Sequence, residues 1–238
     1  DFPNIITGVT NDISCNNIGL GEIELTVSSN LSEPPSGYTY EIFRGSNTDA
    51  GNLVETVIAL DGTVPYLFDS LSDGIYRIRV TNNDLSCANT ADVLLDDVSI
   101  PPTIRSTRIS PNTSCGDLNN GLITVSGIND LGTVYPNDPN VADDIEIDGQ
   151  FNFAWFSGSL ADSINAPLIL NADNTPYDSV TLDLSLVPIS FHSADGKYTV
   201  VAFSDSTGCF SSPTTRTIQN LPTFPDAFTT QEKPNTAC

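Results

Sequence analysis

The sequence predicts an all-β chain of tandem immunoglobulin-like β-sandwiches, and two observations lead to this prediction. Runs in which apolar and polar residues alternate, such as residues 21–27 and 38–45, are typical of half-buried strands, whereas no window of 11 residues has a convincing helical period. The second observation is a duplicated stretch in which Asp-Gly is followed by x-Tyr, an alternating run and a cysteine 11 residues after the tyrosine. It occurs at residues 73–87 and again at residues 195–209.

Two tyrosines open these duplicated runs directly after a turn. Asp-Gly is a turn signal, and a tyrosine at the start of a late strand is typical of the tyrosine corner of an immunoglobulin-like sandwich. We therefore expect Tyr76 and Tyr198 to be buried ring-first, each with its hydroxyl bonded to upstream backbone. Trp155 is in phase with Phe151 and Phe153 in the predicted third strand of the second copy, so we expect it in the core and not on a sugar-binding surface.

The duplication also predicts the domain organisation. Residues 1–101 form a first repeat, residues 102–222 a second repeat with an acidic loop insertion, and residues 223–238 a linker with the first strand of a third repeat. The insertion is rich in Asp, Asn and Pro, which suits a surface loop. Prolines in the short linker Ile100-Pro101-Pro102 favour an extended conformation, so we expect the sandwiches to be joined end to end with a small interface.

The five cysteines follow the same duplication. The intervals from Cys87 to Cys115 and from Cys209 to Cys238 are 28 and 29 residues, so each repeat has an early and a late cysteine. Their wide separation indicates disulfides and not a metal site, and disulfides indicate an oxidising, extracellular compartment. The matched spacing predicts the pairs Cys15–Cys87 and Cys115–Cys209, with the partner of Cys238 outside this chain.

The charge of the chain restricts its partners. It has 30 acidic and 8 basic residues, a formal net charge of −22, and both repeats are acidic. Such a field disfavours nucleic acid and anionic membrane surfaces. The sequence has no apolar run of about 18 residues, so we expect no membrane insertion.

The order of motifs in the second copy resembles a known repeat family. Cys115 is followed by Asn120-Gly121-Leu122-Ile123-Thr124-Val125, by Phe153-Ala154-Trp155, by Gly196-Lys197-Tyr198-Thr199-Val200 and by Gly208-Cys209. This order resembles the SprB-type repeats of Bacteroidetes cell-surface adhesins. The first copy departs from the pattern, because Ile42 stands at the tryptophan position and Ser86 precedes the second cysteine. The resemblance implies a structural or adhesive segment of a long surface adhesin or filament, exported by a type IX route and linked to gliding or attachment, with no active site.

Acidic side chains in two places are candidate calcium ligands, because Ca²⁺ takes oxygens that often come from Asp, Asn and carbonyl groups on loops. One set lies in the inserted loop and comprises Asp138, Asp143, Asp144, Glu146 and Asp148. The other set is Asp96 and Asp97, directly before the linker, where an ion could stiffen a domain junction. The alternative for both sets is a solvated acidic loop. Calcium is the only cofactor that the sequence suggests.

Four short motifs resemble the O-glycosylation signal of exported Bacteroidetes proteins, in which Asp-Ser precedes an aliphatic residue or threonine. The candidate serines are Ser70, Ser163, Ser179 and Ser206. Matches of three residues are frequent by chance in a chain rich in Asp and Ser, so the motifs are hypotheses.

We do not expect an enzyme. The only histidine, His192, lacks a recognisable nucleophile motif, and carboxylate pairs are frequent by chance in so acidic a chain. Two alternatives to a mechanical repeat stay open. One is a carbohydrate-binding module of a larger secreted protein, and the other is a self-assembling fibre subunit that donates a strand to its neighbour. The expected partners are therefore neighbouring repeats of the same chain or fibre, and surface polysaccharide.

Overall fold

The computed structural model of this chain describes residues 2–15, 19–28, 37–60, 62, 64–115, 119–135, 147, 149–159 and 167–222. Within these ranges the chain is nearly all-β, with two short 3-10 turns at Ala50–Asn52 and Ile189–Phe191 and one helical residue, Ile147. No helix in the described ranges has the length and apolar character needed to cross a membrane. The chain divides into two compact units: unit 1 comprises residues 1–102, 130–132 and 203–211, and unit 2 comprises residues 103–129, 133–202 and 212–238.

Unit 1 is a β-sandwich of two antiparallel sheets. Its strands are β1 (Asn4–Thr10), β2 (Gly21–Ser28), β3 (Tyr38–Arg44), β4 (Leu53–Leu60), β5 (Tyr66–Leu71), β6 (Gly74–Asn82) and β7 (Ala88–Leu95). One sheet has the strand order β1-β2-β5 and the other has the order β4-β3-β6-β7. Seven strands divided in this way between two facing sheets are typical of immunoglobulin-like domains, which confirms the fold class predicted from the sequence.

Side-chain alternation forms the core of unit 1. Along β2 and β6 every second residue is buried, because successive side chains of a strand point to opposite faces of its sheet. These buried faces belong to opposite sheets and meet in one apolar cluster. Its members are Ile23, Leu25, Val27, Tyr38, Tyr40, Ile42, Phe68, Leu71, Tyr76, Ile78, Val80, Val93 and Leu95.

Unit 2 repeats this construction, and three of its strands have only three or four residues. Its strands are β8 (Thr103–Ser110), β9 (Leu122–Asp130), β10 (Thr133–Tyr135), β11 (Phe151–Ser157), β12 (Thr181–Asp183), β13 (Lys197–Ser204) and β14 (Thr214–Thr217). One sheet has the order β10-β9-β12, with β8 also paired to β9, and the other has the order β11-β13-β14. The buried cluster of the unit is built around Trp155, Phe151, Phe153, Tyr198 and Val200, side chains of β11 and β13, and includes Ile123 and Val125 of β9.

Two hairpin tips at the ends of these strands belong to unit 1. The first is Asp130–Gly132, in which Leu131 and Gly132 have φ angles of 49° and 83°. Positive φ at both central residues is what a two-residue type I′ hairpin turn requires. The second tip is Phe203–Ser211, and the hydroxyl of its Ser204 donates to Oδ2 of Asp130 at 2.6 Å. The second tip contains Cys209 and positions it for the site described next.

Candidate functional site

The site consists of two cysteine-bearing segments of unit 1. We call residues 11–15 with 19–20 the Cys15 loop, and residues 203–211 the Cys209 hairpin. Their cysteines form a disulfide in which the Cα atoms are 4.9 Å apart. The N–H of Cys15 also donates to the carbonyl of Thr207 at 2.8 Å. Covalent and backbone contacts therefore join the loop to the hairpin.

This disulfide corrects the pairing that the spacing predicts. Because Cys15 and Cys209 bond to each other, neither Cys15–Cys87 nor Cys115–Cys209 forms. Cys87 is half-buried and Cys115 is exposed, whereas Cys238 lies outside the described residues.

The length of a strand explains why the predicted pairing is wrong. Strand β6 starts beside the Cys15 loop, where the N–H of Asp73 donates to Asp12, and it ends just before Cys87. Its nine residues span about 30 Å at roughly 3.3 Å per residue, whereas the Cα atoms of a disulfide lie within about 7 Å of each other. The early and late cysteines of one repeat are therefore at opposite ends of a strand, and β13 separates the same two positions in the second repeat.

Asp12 is the buried centre of the Cys15 loop. Its Oδ1 accepts hydrogen bonds of 2.7 to 3.0 Å from the N–H and hydroxyl of Ser14 and from the N–H of Leu20, and its Oδ2 accepts the N–H of Asp73 at 3.2 Å. Burial by itself raises the pKa of Asp12. The hydrogen bonds from Leu20, Ser14 and Asp73 stabilise the charged form and together lower that pKa below its ordinary value of 3.8.

Asn112 has the same place in unit 2, in a segment that we call the Cys115 loop (residues 111–115 with 119–120). Its Oδ1 accepts bonds of 2.7 to 3.2 Å from the N–H and hydroxyl of Ser114 and from the N–H of Asn120. Its Nδ2 donates to Oδ1 of Asn220 at 3.0 Å. In the sequence analysis no structural role was assigned to Asp12 or Asn112, although the shared pattern Asp/Asn-x-Ser-Cys is visible in both repeats.

The three aromatic residues expected to be structural lie in the two cores. Tyr76 is 2% exposed, and its hydroxyl donates to the carbonyl of Ser72 at 2.8 Å. Tyr198 is 1% exposed, and its hydroxyl accepts the N–H of Ser193 at 3.1 Å, while burial raises its pKa. Trp155 is fully buried and its Nε1 donates to a backbone carbonyl at 2.8 Å. Its ring is therefore not available for stacking on a sugar.

The candidate calcium ligands fall into two groups. Asp138, Asp143, Asp144, Glu146 and Asp148 all lie outside the described residues. Asp97 is exposed, and hydrogen bonds from the N–H and hydroxyl of Ser99 lower its pKa. The backbone carbonyl of Asp96 accepts the N–H of Asp12 at 3.1 Å. Among the described residues no group of three or more His, Cys, Asp or Glu side chains could hold a metal ion.

Three of the four candidate glycosylation serines are within the described ranges, and all three are exposed. Ser70 lies on β5 with its hydroxyl on the carboxylate of Asp69. Ser179 accepts the indole N–H of Trp155 through its carbonyl, and Ser206 lies in the Cys209 hairpin. Ser163 is outside the described residues. Modification of these serines stays a prediction.

Unit 2 has two open clefts on the side of the Cys115 loop. The first has a volume of about 750 Å³ and borders Asn112, Asn119, Gly196 and Asn220. The second, of about 720 Å³, borders Ser114 and the segment after β12. His192 lies beside both, but its Nε2 is 3.1 and 3.2 Å from two backbone carbonyl oxygens. The ring nitrogen thus holds the surrounding loop together.

Comparison with known proteins gives remote likenesses to solved structures. No known protein family matches the chain, and no curated protein is similar to it. A solved structure described as "Biofilm associated protein - BSP domain" has 13% identity and a TM-score of 0.27, over 92% of this chain and 29% of its own. The chicken CNTN1 FN1-FN3 domains have 11% identity and a TM-score of 0.27, over 92% of this chain and 65% of theirs. The chain thus spans less than two thirds of either structure, and TM-scores this low support no functional argument.

Proposed function

We propose that this chain is a structural, adhesive repeat segment of an extracellular surface protein. The observation that supports this proposal is the disulfide between Cys15 and Cys209, which links the early cysteine of one sequence repeat to the late cysteine of the next. Stable disulfides are typical of oxidising compartments outside the cytosol. A covalent bond between two sequence repeats also limits how far the chain can be stretched when it is pulled. This limit suits a protein that bears mechanical load between a cell and the surface to which the cell attaches.

The finer parts of this proposal come from the sequence. Export by a type IX-like route, a place on the cell surface, and a role in gliding or attachment follow from the motif resemblance in the second repeat. The net charge of −22 favours an extended chain at low ionic strength, because acidic segments of the chain repel one another. End-to-end joining through the proline linker is part of the proposal, and small-angle scattering tests it, because a radius of gyration typical of a single globule of this length would contradict it.

The buried position of Trp155 excludes it as the sugar-binding residue of the carbohydrate-binding alternative. Sugar-binding platforms expose aromatic rings, whereas Trp155 is fully buried and bonded through its indole nitrogen. Surface polysaccharide thus remains a proposed contact of the assembled protein, without an aromatic platform assigned to it.

Labelling of intact cells of the source organism tests the proposed function. We expect antibodies against this chain to stain unpermeabilised cells, and external protease to remove the staining while a cytoplasmic control protein stays intact. Deletion of the gene should reduce attachment of cells to glass under flow, and the unaltered gene should restore it. Staining that requires permeabilisation, or attachment that is unchanged by the deletion, would contradict the proposal.

A further inference from the structure

We propose that the chain has a second pair of docking elements, the Cys87 hairpin (residues 81–89) and the Cys115 loop, which join it to further copies of the same repeat. In each junction a Cys115-type loop of one copy receives a Cys87-type hairpin of another, in the register that Cys15 and Cys209 display. The proposal deepens the proposed function by naming its partner, and it rests on that function only for its biological setting.

The two loops have the same backbone structure. Asp12 of the Cys15 loop forms a parallel bridge with Asp97, and Asn112 of the Cys115 loop forms the same bridge with Asn220. Two backbone hydrogen bonds of 2.7 to 3.1 Å hold each bridge. Each loop also places an x-Ser-Cys sequence after the bridge residue, with the serine bonded to that residue's side chain. The Cys115 loop therefore presents its cysteine from the same scaffold as the Cys15 loop.

The two hairpins are equally alike. In the Cys87 hairpin the N–H of Asn82 donates to the carbonyl of Cys87, and the N–H of Ser86 donates back to Asn82, both at 2.9 Å. The Cys209 hairpin has both bonds at the same spacing and at the same 2.9 Å. The residue before the cysteine has a positive φ in each case, 55° at Ser86 and 70° at Gly208. Both hairpins therefore turn their cysteine in the same way.

Burial differs sharply between the two hairpins, and this difference points to a missing partner. In the Cys209 hairpin, which is joined to the Cys15 loop, Thr207 is 1% exposed and Cys209 is fully buried. At the corresponding positions of the Cys87 hairpin, Leu85 is 51% exposed and Cys87 is half-buried. Leu85 is therefore exposed at the position that is buried in the docked Cys209 hairpin.

Burial also differs between the two loops: residues of the Cys15 loop are more buried than their counterparts in the Cys115 loop. Ser14 is buried in the Cys15 loop, whereas its counterpart Ser114 is half-buried. Cys15 is half-buried and Cys115 is exposed. The open cleft of about 750 Å³ borders the Cys115 loop at Asn112. The loop that has received a hairpin is covered, and the equivalent loop of unit 2 faces an open cleft.

A further copy of this repeat is the partner that fits both surfaces. Each surface is the counterpart of one half of a junction that the chain already forms, and the two halves are different surfaces. Contacts between two different surfaces are head-to-tail, and they generate rings where the rotation between copies closes and open chains where it does not. Each new junction joins the Sγ atoms of Cys87 and Cys115, releases two protons and passes two electrons to an oxidant. Glutathione disulfide can accept them and become two glutathione thiols.

The test uses the full 238-residue chain with Cys238→Ser, so that only Cys87 and Cys115 are added to the existing disulfide. Equal amounts of ¹⁵N-labelled and unlabelled protein are incubated at high concentration with oxidised and reduced glutathione. We expect a ladder of disulfide-linked oligomers on a non-reducing gel. Peptide mapping should give a Cys87–Cys115 crosslink with one labelled and one unlabelled peptide, beside an intact Cys15–Cys209 bond.

Two single variants make the pairing rule explicit. Cys87→Ser alone and Cys115→Ser alone should each stay monomeric, whereas their mixture should stop at a heterodimer. Homodimers of either variant that form as fast as the heterodimer would show unselective thiol reactivity and overturn the proposal. Unaltered monomer in the parent protein would overturn it as well.

A substitution outside the cysteines separates docking from thiol chemistry. Leu85→Asp should slow ladder formation at least several-fold, because it places a charge where docking buries the side chain. Ile58→Asp, on an exposed position of β4, is the matched control and should leave the rate unchanged. Equal rates for both variants would contradict a docked hairpin. All these measurements use purified protein, so their failure would leave the proposed surface function standing.

Discussion

The Cys15 loop and the Cys115 loop solve the same structural problem with different chemistry. Asp12 uses a carboxylate that accepts four hydrogen bonds, whereas Asn112 uses an amide oxygen that accepts three and an amide nitrogen that donates to Asn220. Across the bridge Asp12 faces the acidic Asp97, whose pKa is lowered by the hydrogen bonds from Ser99 although the negative charge of Asp12 opposes that shift. The comparison shows that the fold requires a buried acceptor at this position and does not require a charge.

Removal of the disulfide should produce the largest difference between the two units. The Cys15→Ser/Cys209→Ser variant lacks a crosslink that spans 194 residues, which is worth up to roughly 5 kcal/mol in the chain-entropy description. We expect unit 1 to lose most of this stability, because both cysteines belong to it. Guanidinium denaturation followed by far-UV circular dichroism measures the loss for the whole chain.

The single tryptophan provides the internal control for that measurement. Trp155 lies in the core of unit 2, so its fluorescence reports the unfolding of that unit. We expect the fluorescence midpoint to shift much less than the midpoint measured by circular dichroism. Equal shifts by both probes would contradict a bond that stabilises mainly unit 1.

Substitution at the buried acceptor should have the next largest effect. Asp12→Ala leaves buried N–H groups in the Cys15 loop without their acceptor, so we expect a loss of roughly 3 kcal/mol. Asp12→Asn should cost less, since Asn112 shows that an amide oxygen serves the equivalent loop. Urea denaturation of the three proteins gives the ranking, and an Asp12→Asn variant as unstable as Asp12→Ala would contradict the equivalence of the two loops.

The elements of the fold could be predicted from the sequence because their signals are local. Alternation at residues 21–27 and 38–45 corresponds to β2 and β3, and the Asp-Gly turns lie at the starts of β6 and β13. Each of these patterns is formed by neighbouring residues of one strand or turn, so a short window of sequence contains the whole signal.

The disulfide could not be predicted in the same way. Equal spacing of the cysteines indicates a repeat, but the pairing depends on which end of a strand each cysteine occupies. Cys87 follows the far end of β6, whereas Cys15 lies near its start, and this is a property of the folded sheet. Tips 130–132 and 203–211 likewise belong to unit 1 although they continue strands of the second repeat. Contacts between segments so distant in sequence leave no periodic pattern.

Loss of the hydroxyl from either of the two corner tyrosines should reduce stability by a smaller amount, and by a similar amount for both. In Tyr76→Phe the buried carbonyl of Ser72 loses a donor, and in Tyr198→Phe the N–H of Ser193 loses an acceptor. Each change should cost about 1 kcal/mol. Circular dichroism follows the first variant and Trp155 fluorescence follows the second. Unchanged midpoints in both would show that the hydroxyl bonds are not needed for the corners.

The smallest expected effect is a pH dependence that distinguishes the carboxylate of Asp12 from an amide. Its folded pKa is below 3.8, so the stability that ionised Asp12 contributes is fully present above the unfolded pKa, near 3.9. That contribution is lost as the pH falls through the lower, folded pKa. The stability difference between the parent protein and Asp12→Asn should therefore shrink when urea denaturation is repeated from pH 7 down to pH 3. Asn112→Asp provides the reciprocal control, because a carboxylate that accepts the bonds of Ser114 and Asn120 should add the same acid sensitivity to unit 2. The two pairs to compare are the parent protein with Asp12→Asn and the parent protein with Asn112→Asp. A stability difference that stays constant from pH 7 to pH 3 in both pairs would show that the charge on Asp12 does not stabilise the loop. The oxygens of Asp12 would then act only as hydrogen-bond acceptors, as a neutral amide oxygen does.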